Sequence, residues 1–361
     1  MHIESLALSG LRNLAAARLS FHSAGNLFYG VNGSGKTSLL EAIHLLAVGR
    51  SFRSHLVRPV ISHAENKCLV QARVLSGASR HSLGVERQKA GGALLRVNGE
   101  TVSSYAPVAA VLPIVLLDTQ SLDLIHGGPE TRRKYVDATL FHVEQNFLGV
   151  WRRYVRALKQ RNAGLRRGII DSDGVWLDEL ARAGDVLAES RASMVAQLGS
   201  RFGEIAAGLS PSLEGVELQV RRGWDSSMSL REALEKSVPS DRDRGFTQVG
   251  PHRADIRIRL GGRAASDNLS RGQSKLVLSA LKLAQGKVLT ELAATPPVCL
   301  VDDIVAELDQ SHAERVCGLL ADQGGQVFMT AVEQQSLRRF WPNEMFKMFH
   351  VEHGFIQAVT D

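Results

Sequence analysis

The stretch NLFYGVNGSGKTSLLEAIHLLAVG, residues 26–49, sets a short apolar strand, a glycine-rich turn and an apolar-periodic helix in direct succession. Within it Gly30, Val31, Asn32, Gly33, Ser34, Gly35, Lys36 and Thr37 match G-x-x-x-x-G-K-[ST] in the strand–turn–helix context that motif requires. Glycines let successive backbone N–H groups turn inward on a β-phosphate, and the start of the helix adds its dipole. Lys36 is placed to reach β- and γ-phosphates, and the Thr37 hydroxyl to coordinate Mg2+. The plainer reading is a glycine-rich turn that merely opens a helix. The flanks favour a nucleoside triphosphate site and hence an α/β fold.

Such a loop needs an acid on a neighbouring strand. PPVCLVDDIVAELD (296–309) supplies one, because Val298 to Val301 reads as a buried strand ending in Asp302-Asp303. That end is the carboxyl edge of a parallel sheet, where open α/β folds bind ligands. Asp302 is expected to hold Mg2+, through water, and Asp303 to orient or deprotonate an attacking water; both, with Lys36, form the expected catalytic set. Alternatively the pair only caps a helix starting near Asp309. GGQVFMTAV (324–332) reads as a further buried strand and MFKMFHVEHGFIQAV (345–359) as a hairpin turning at His353-Gly354. SLALSGLRNL (5–14) and the alternating DIRIRLGGR (255–263) are read as the remaining strands of the same head. The expected division is therefore 1–120 with 250–361 as a nucleotide-binding head, and 121–249 as an inserted helical body.

DNLSRGQSKL (267–276) precedes the long helical pattern KLVLSALKLAQGKVL. Ser270 and the backbone N–H groups of Gly272 and Gln273 would open that helix as an anion site, with Arg271 adding a cation. A plain N-cap is the alternative. Taken in order, the phosphate loop, Leu269-Ser270-Arg271-Gly272-Gln273, Asp302-Asp303 and Glu307-Leu308-Asp309 resemble the ABC-type ATPase superfamily. That resemblance implies a Ser-x-Gly-Gln segment docking on the γ-phosphate of ATP held by a second copy, so that two chains close around two ATPs.

A closer resemblance, to the RecF family of bacterial recombination and gap-repair ATPases, runs through nearly the whole chain. It is carried by GVNGSGKTSLLEAIHLLAVGRSFR, GGPETRRKYVDATLFHVE, RRYVRALKQRNAGLR, TQVGPHRADI, LSRGQSKLVLSALKLAQG and VDDIVAELD. It implies an ABC-type ATPase head built from both chain ends, with a short antiparallel coiled coil inserted. It further implies ATP and Mg2+ as cofactors, an ATP-dependent homodimer clamped on gapped or junction DNA, cooperation with RecR and RecO, help in loading RecA, and a link to the SOS response. Two departures from transport ATPases point to slow hydrolysis. Asp303 stands where they carry Glu, and VFMTAVE lacks their His. Gln120 in LLDTQSLDLI is either a sensor of Mg2+ and γ-phosphate or an exposed loop residue. The rival readings are the ATPase subunit of an ABC transporter, a small-molecule P-loop kinase and a long-armed chromosome-tethering ATPase; the length of the insert and SRGQ argue against the first.

Within the insert, about Arg132 to Lys159 reads helical. Trp176 to Leu209 repeats Leu180, Leu187, Met194, Leu198 and Ile205 at heptad-like spacing, with RRGIIDSDG (166–174) as the turn. The two helices would form a hairpin roughly 40–50 Å long, or else a compact helical body without reach. WRRYVRALKQRNAGLRR (151–167) holds seven basic residues and no acid. On a helix Arg152, Arg156 and Lys159 share a side, as do Arg153 and Arg156, which makes them candidates for DNA phosphates against the alternative of a solvated face. Arg132-Arg133 and His252-Arg253 are weaker candidates. The net charge of +6 over 361 residues fits an acidic partner weakly. Cys68, Cys299 and Cys317 lack zinc-site spacing and fit a reducing compartment. MHIESLALSGLRNL does not read as a secretory signal, and no long apolar run crosses a membrane; the expectation is a cytoplasmic protein.

Overall fold

Leu27 and Phe28 are wholly buried, as a strand covered on both faces must be. They belong to the central strand of a computed structural model that describes residues 1–168, 174–303, 307–342 and 345–359, with only the backbone of Thr119 and Gln120. The chain divides into two units, one made of 1–122 and 271–361 and the other of 123–270.

The first unit begins with β1 (His2–Ser9), β2 (Ala17–Ser20), β3 (Gly25–Tyr29), α1 (Lys36–Val48), β4 (Lys67–Ser76), β5 (Ser79–Gln88), β6 (Ala93–Val97), β7 (Glu100–Val102), α2 (Ala106–Val111) and β8 (Ile114–Leu117). The second holds α3 (Asp123–His126), α4 (Pro129–Val143), α5 (Phe147–Arg166), α6 (Val175–Leu209), β9 (Val216–Arg221), α7 (Leu230–Arg244), β10 (Asp255–Leu260), β11 (Arg263–Ala264) and α8 (Ala265–Asn268). The chain then re-enters the first unit with α9 (Arg271–Ala293), β12 (Val298–Val301), α10 (Gln310–Asp322), β13 (Val327–Ala331), α11 (Gln334–Phe340), β14 (Phe346–Glu352) and β15 (Phe355–Val359).

Two sheets build the first unit. One is antiparallel in the order β2-β1-β4-β5-β6-β7, and the other runs β15-β14-β3-β13-β12-β8. In the second sheet β14, β3, β13, β12 and β8 are parallel, and only β15 is antiparallel. Buried and less buried residues alternate along β4, as expected when one face of a sheet meets the core. Helix α1 differs: Leu39, Leu40, Ala42, Ile43, Leu45 and Leu46 are all buried, because both sheets contribute to the core around it. Phe28 stacks on Phe349 at 4.7 Å, and Phe21 meets Phe328 edge-on at 4.8 Å. Gln326 ties the first sheet to the second, its Nε2 donating to Ile3 O at 2.9 Å while Ile3 N donates to its Oε1 at 2.7 Å.

In the second unit Leu180, Leu187, Met194, Leu198 and Ile205 are all buried along the 35-residue α6. Helix α5 runs antiparallel to it, with Gly184 against Tyr154 and Ser190 Oγ donating to Glu144 at 2.9 Å. Three features depart from the sequence reading. The helix expected from 132 to 159 breaks at Glu144–Asn146, where Glu144 adopts an extended conformation and α5 begins at Phe147. Helix α5 has 20 residues and spans ~30 Å, so it pairs with only part of α6, which also packs on α4, α7 and β9. DIRIRL does not join the nucleotide head: β10 pairs with β9 from Asp255↔Arg221 to Leu260↔Val216. That pairing carries residues 250–270 into the second unit and moves the expected boundary at 249. Among the described residues no helix is long and apolar enough to cross a membrane. Cys68, Cys299 and Cys317 are buried and unpaired, and burial lifts their thiols to about 11, 12 and 12.

Candidate functional site

Strand β3 delivers the chain into the 30–35 turn, and α1 starts at Lys36. Gly33 and Gly35 hold φ of 80° and 122°, the left-handed region that suits glycine. A Cβ on Gly35 would also stand 2.7 Å from Leu14 Cδ2, whereas one on Gly33 would meet nothing within 4 Å. The open side of the turn is thus the side a phosphate would approach.

The turn is gripped from outside by two distant segments. Asn13 Nδ2 donates to Gly33 O at 3.0 Å, and Ser38 Oγ donates to Asn13 Oδ1 at 3.1 Å. Gly354 N, at the β14–β15 turn, donates to Ser34 O at 2.9 Å. Lys36 is 3% exposed, and its Nζ donates to Gly30 O at 2.8 Å and Val31 O at 3.2 Å. Its charge pairs with no carboxylate among the described residues. Ser34 Oγ is buried and has no hydrogen-bond partner, which leaves a polar atom unmatched inside the loop. A cavity of about 440 Å³ adjoins these groups, lined by Asn32, Lys36, Thr37, Arg12, Arg53 and Asp303 among others.

Strand β12 brings the acid pair to the same place. Thr37 Oγ1 donates to Asp302 Oδ1 at 2.9 Å. Thr330 Oγ1, from the end of β13, lies 3.0 Å from that oxygen and 3.1 Å from Asp303 Oδ1, and accepts from Asp303 N at 3.0 Å. Burial raises Asp302 to about 6; the Thr37 hydrogen bond opposes this, and the charges of Asp303 and Asp118 add to it. Asp303 holds a φ of 51°, a conformation that a non-glycine residue adopts only when its surroundings impose it. Helix α10 is capped by Asp309, whose carboxylate accepts from His312 N, so the Asp302-Asp303 pair is not its cap. The hydroxyl of Thr37 and the carboxylate of Asp302 are hard oxygen donors of the kind Mg2+ takes. With Lys36, Ser34 and the turn's N–H groups they fit a metal-bound polyphosphate.

The sequence reading missed a second layer. Glu41 is wholly buried, and Arg12 grips its carboxylate through Nε and Nη2, each at 2.7 Å. Ser51 Oγ also donates to Glu41 and accepts from the N–H groups of Arg53 and Ser54, while Arg53 Nη1 stands 3.9 Å from Glu41. This hub fixes Arg12 and draws Arg53 toward the same carboxylate, and both arginines line the cavity. An acid inside the apolar run LLEAIHLL was its only sequence signal.

Ser270, Arg271 and Gly272 are exposed and Gln273 is half-buried at the start of the 23-residue α9, with the boundary between the units falling at 270/271. The side chain of Gln120 lies outside the described residues. On α5 the buried face is Phe147, Val150, Tyr154, Ala157 and Arg161, which leaves Arg152, Arg153, Arg156 and Lys159 exposed. Arg161 is a structural cation, donating to Asp241 Oδ2 at 2.8 Å and Thr247 Oγ1 at 2.6 Å. Arg132 pairs with Asp255 at 2.8 Å, and Arg133 donates to Ala254 O at 2.7 Å. His252 is fixed between Tyr154 and Thr247.

Residues 2–357 match the family described as the RecF/RecN/SMC N terminal domain. A Pseudomonas aeruginosa protein named DNA replication and repair protein RecF is 43% identical over all of this chain and 98% of its own length. Its namesake in Pseudomonas syringae is 42% identical over all of this chain and 99% of that protein. Among solved structures, the recombination mediator protein RecF with ATP, of the RecFOR pathway, superposes with a TM-score of 0.86 at 25% identity, covering 99% of this chain and 98% of that one. An Smc head from Pyrococcus furiosus, at 16% identity and a TM-score of 0.59 over 99% of this chain and 96% of that one, shares the fold.

Proposed function

The chain belongs to the RecF family, within the RecF/RecN/SMC group, and from that premise we propose that it is an ATP-gated DNA clamp of replication and repair. The observation that carries the proposal is the cavity lined by Lys36, Thr37 and Asp303 on an open phosphate loop, with Asp302 bonded to Thr37 at 2.9 Å. Lys36 holds the β- and γ-phosphates of ATP, and Thr37 and Asp302 hold Mg2+. Bound Mg2+ supplies charge neutralisation across the phosphates. Asp303 orients the attacking water, and its short side chain makes hydrolysis a slow switch rather than a motor stroke.

Ser270, Arg271, Gly272 and Gln273 take the γ-phosphate of ATP held by a second copy, so each chain owns half of each pocket. The exposure of Ser270, Arg271 and Gly272 at the start of a long helix supports this reading. Closure of the dimer forms a basic surface for gapped or junction DNA, to which Arg152, Arg153, Arg156 and Lys159 contribute. Gln120 reports metal and γ-phosphate occupancy. RecO and RecR are the partners, RecA is the protein loaded, the SOS response is the wider setting, and the compartment is the cytoplasm.

Sedimentation tests the shared pocket. ATP with Mg2+ is expected to double the mass, and Ser270→Arg to abolish the doubling while ATP binding persists. Doubling that survives Ser270→Arg would dismiss the shared pocket.

A further inference from the structure

In the second unit the turn after β9 lies backbone to backbone on the 250–254 turn. Gly223 permits this approach: its φ is 95°, and a Cβ there would stand 2.3 Å from Gly250 O and 2.7 Å from Ala254 N. Gly250 N donates to Gly223 O at 3.2 Å and closes the seam. Beside it opens a cavity of about 620 Å³, lined by Arg221, Arg222, Trp224, Asp225, Arg253 and Asp255 among others.

The charges in this cleft are unevenly matched. Arg221, Arg222 and Arg253 are exposed, and none forms an ion pair among the described residues. Both carboxylates are already engaged. Arg132 grips Asp255 at 2.8 and 3.2 Å, and Asp225 accepts from Ser227 N at 2.9 Å and Ser227 Oγ at 2.8 Å. Because the Ser227 donors leave the Asp225 charge in place, the cleft keeps three arginines against that one carboxylate, a positive excess.

Aromatic groups are interleaved with them. Trp224 is half-buried, and its Nε1 donates to Met228 O at 3.3 Å, which anchors the indole by its edge. The Arg253 guanidinium lies 5.3 Å from the centre of the Phe246 ring. Unpaired arginines beside a fixed indole match a ligand that alternates phosphates with flat, unstacked rings. Duplex DNA keeps its base faces covered, whereas a single strand offers them.

We propose that this cleft binds single-stranded nucleic acid, with Trp224 stacking on a base and Arg221, Arg222 and Arg253 taking phosphates. The proposal rests on the DNA-clamp reading in one respect, that the strand is the unpaired arm of a DNA gap. It assigns that arm to residues other than the α5 stripe.

The test is fluorescence anisotropy on the full chain, with a labelled oligo(dT) and a duplex of equal length at one fixed salt concentration, with and without ATP. Trp224→Ala should weaken oligo(dT) binding by about 10-fold and leave the duplex unchanged, and Trp224→Phe should restore most of the loss. Arg221→Glu with Arg222→Glu changes exposed side chains only, and should weaken oligo(dT) binding while flattening its dependence on salt. Unaltered oligo(dT) binding by both variants would overturn the assignment, as would equal losses on the two DNA forms. Polyglutamate that displaces oligo(dT) equally well from the wild type and from Trp224→Ala would give the cleft to an acidic polypeptide instead, again overturning it. Failure confined to oligo(dT) leaves the clamp reading standing; a wild-type chain that binds neither form with ATP removes both.

Discussion

Thr37 and Asp302 stand 265 positions apart in the chain, and their side chains meet at 2.9 Å. The contact joins the first turn of α1 to the end of β12 through the two groups proposed to share one Mg2+. Asp302→Asn keeps the shape and removes the charge. ATP affinity measured by calorimetry in Mg2+ should fall roughly tenfold or more. Affinity in EDTA, which rests on Lys36 and the turn, should change little. Thr37→Ala should act on the same Mg2+-dependent part, and the double variant should lose less than the sum of the single losses. Additive losses would place the two residues in separate roles.

Gly354 couples the far end of the chain to the phosphate loop. Its φ is 83°, and a Cβ there would stand 2.0 Å from Asn13 O, so Gly354→Ala must displace the segment that holds Gly33. A stability loss of about 1–3 kcal/mol is expected. ATP affinity should fall with it, because Gly354 N donates to Ser34 O. Gly324 is the control: its φ is 68°, but a Cβ there would meet nothing. Gly324→Ala should cost stability and leave ATP affinity unchanged. Equal effects of the two variants on affinity would contradict the proposed grip.

His252 gives the second unit a pH dependence of defined sign. Burial lowers it from 6.5 to about 4, with the charges of Arg253 and Arg133 acting the same way and the Thr247 hydrogen bond and Asp241 opposing. Its Nδ1 lies 2.6 Å from the Tyr154 hydroxyl and its Nε2 3.0 Å from Thr247 O, so the neutral ring suits one donor and one acceptor. Between pH 6.5 and about 4 the unfolded chain binds a proton that the folded chain refuses. Stability is therefore full above 6.5 and declines as pH falls, by on the order of 3 kcal/mol across the window. His44 in the first unit is also lowered to about 4 by burial, and should add a similar decline there. Thermal unfolding at pH 7 and pH 5 should show a smaller difference for His252→Gln than for the wild type. An unchanged difference would exclude His252 as a source.

The phosphate loop and acid pair were readable because each is a contiguous run whose chemistry its neighbours dictate. Pairing between strands is not local. DIRIRL announced a strand with one wet face, but alternation names a face and not a partner, and VELQVR with its exposed Glu217, Gln219 and Arg221 was the strand it needed. The helix break at Glu144–Asn146 has no glycine or proline to mark it. Glu41 and Gly354 act through contacts with Arg12 and Asn13, and nothing within either segment names the other. The heptad spacing in α6 was legible because burial follows helical geometry, which is local.

The basic run on α5 contains two kinds of arginine, and stability separates them. Arg161 and Asp241 are 5% and 0% exposed and pair at 2.8 Å. Asp241 also accepts from Ser237 Oγ and Gln248 N, each at 3.0 Å, so its charge sits in a network that Arg161 balances. Removing one partner leaves an uncompensated buried charge, and Arg161→Ala should cost about 3–5 kcal/mol. Arg161→Ala with Asp241→Asn should recover part of that loss, because the stranded charge goes too. Arg156 is exposed and forms no ion pair among the described residues, so Arg156→Ala should change stability by less than about 0.5 kcal/mol. Its effect should fall instead on duplex DNA affinity, lowering the salt slope by about one. Denaturant unfolding and anisotropy on the same variants read the two effects separately. Were Arg156→Ala to unfold the second unit while Arg161→Ala left it intact, the division of this helix into a pairing face and a phosphate face would be reversed.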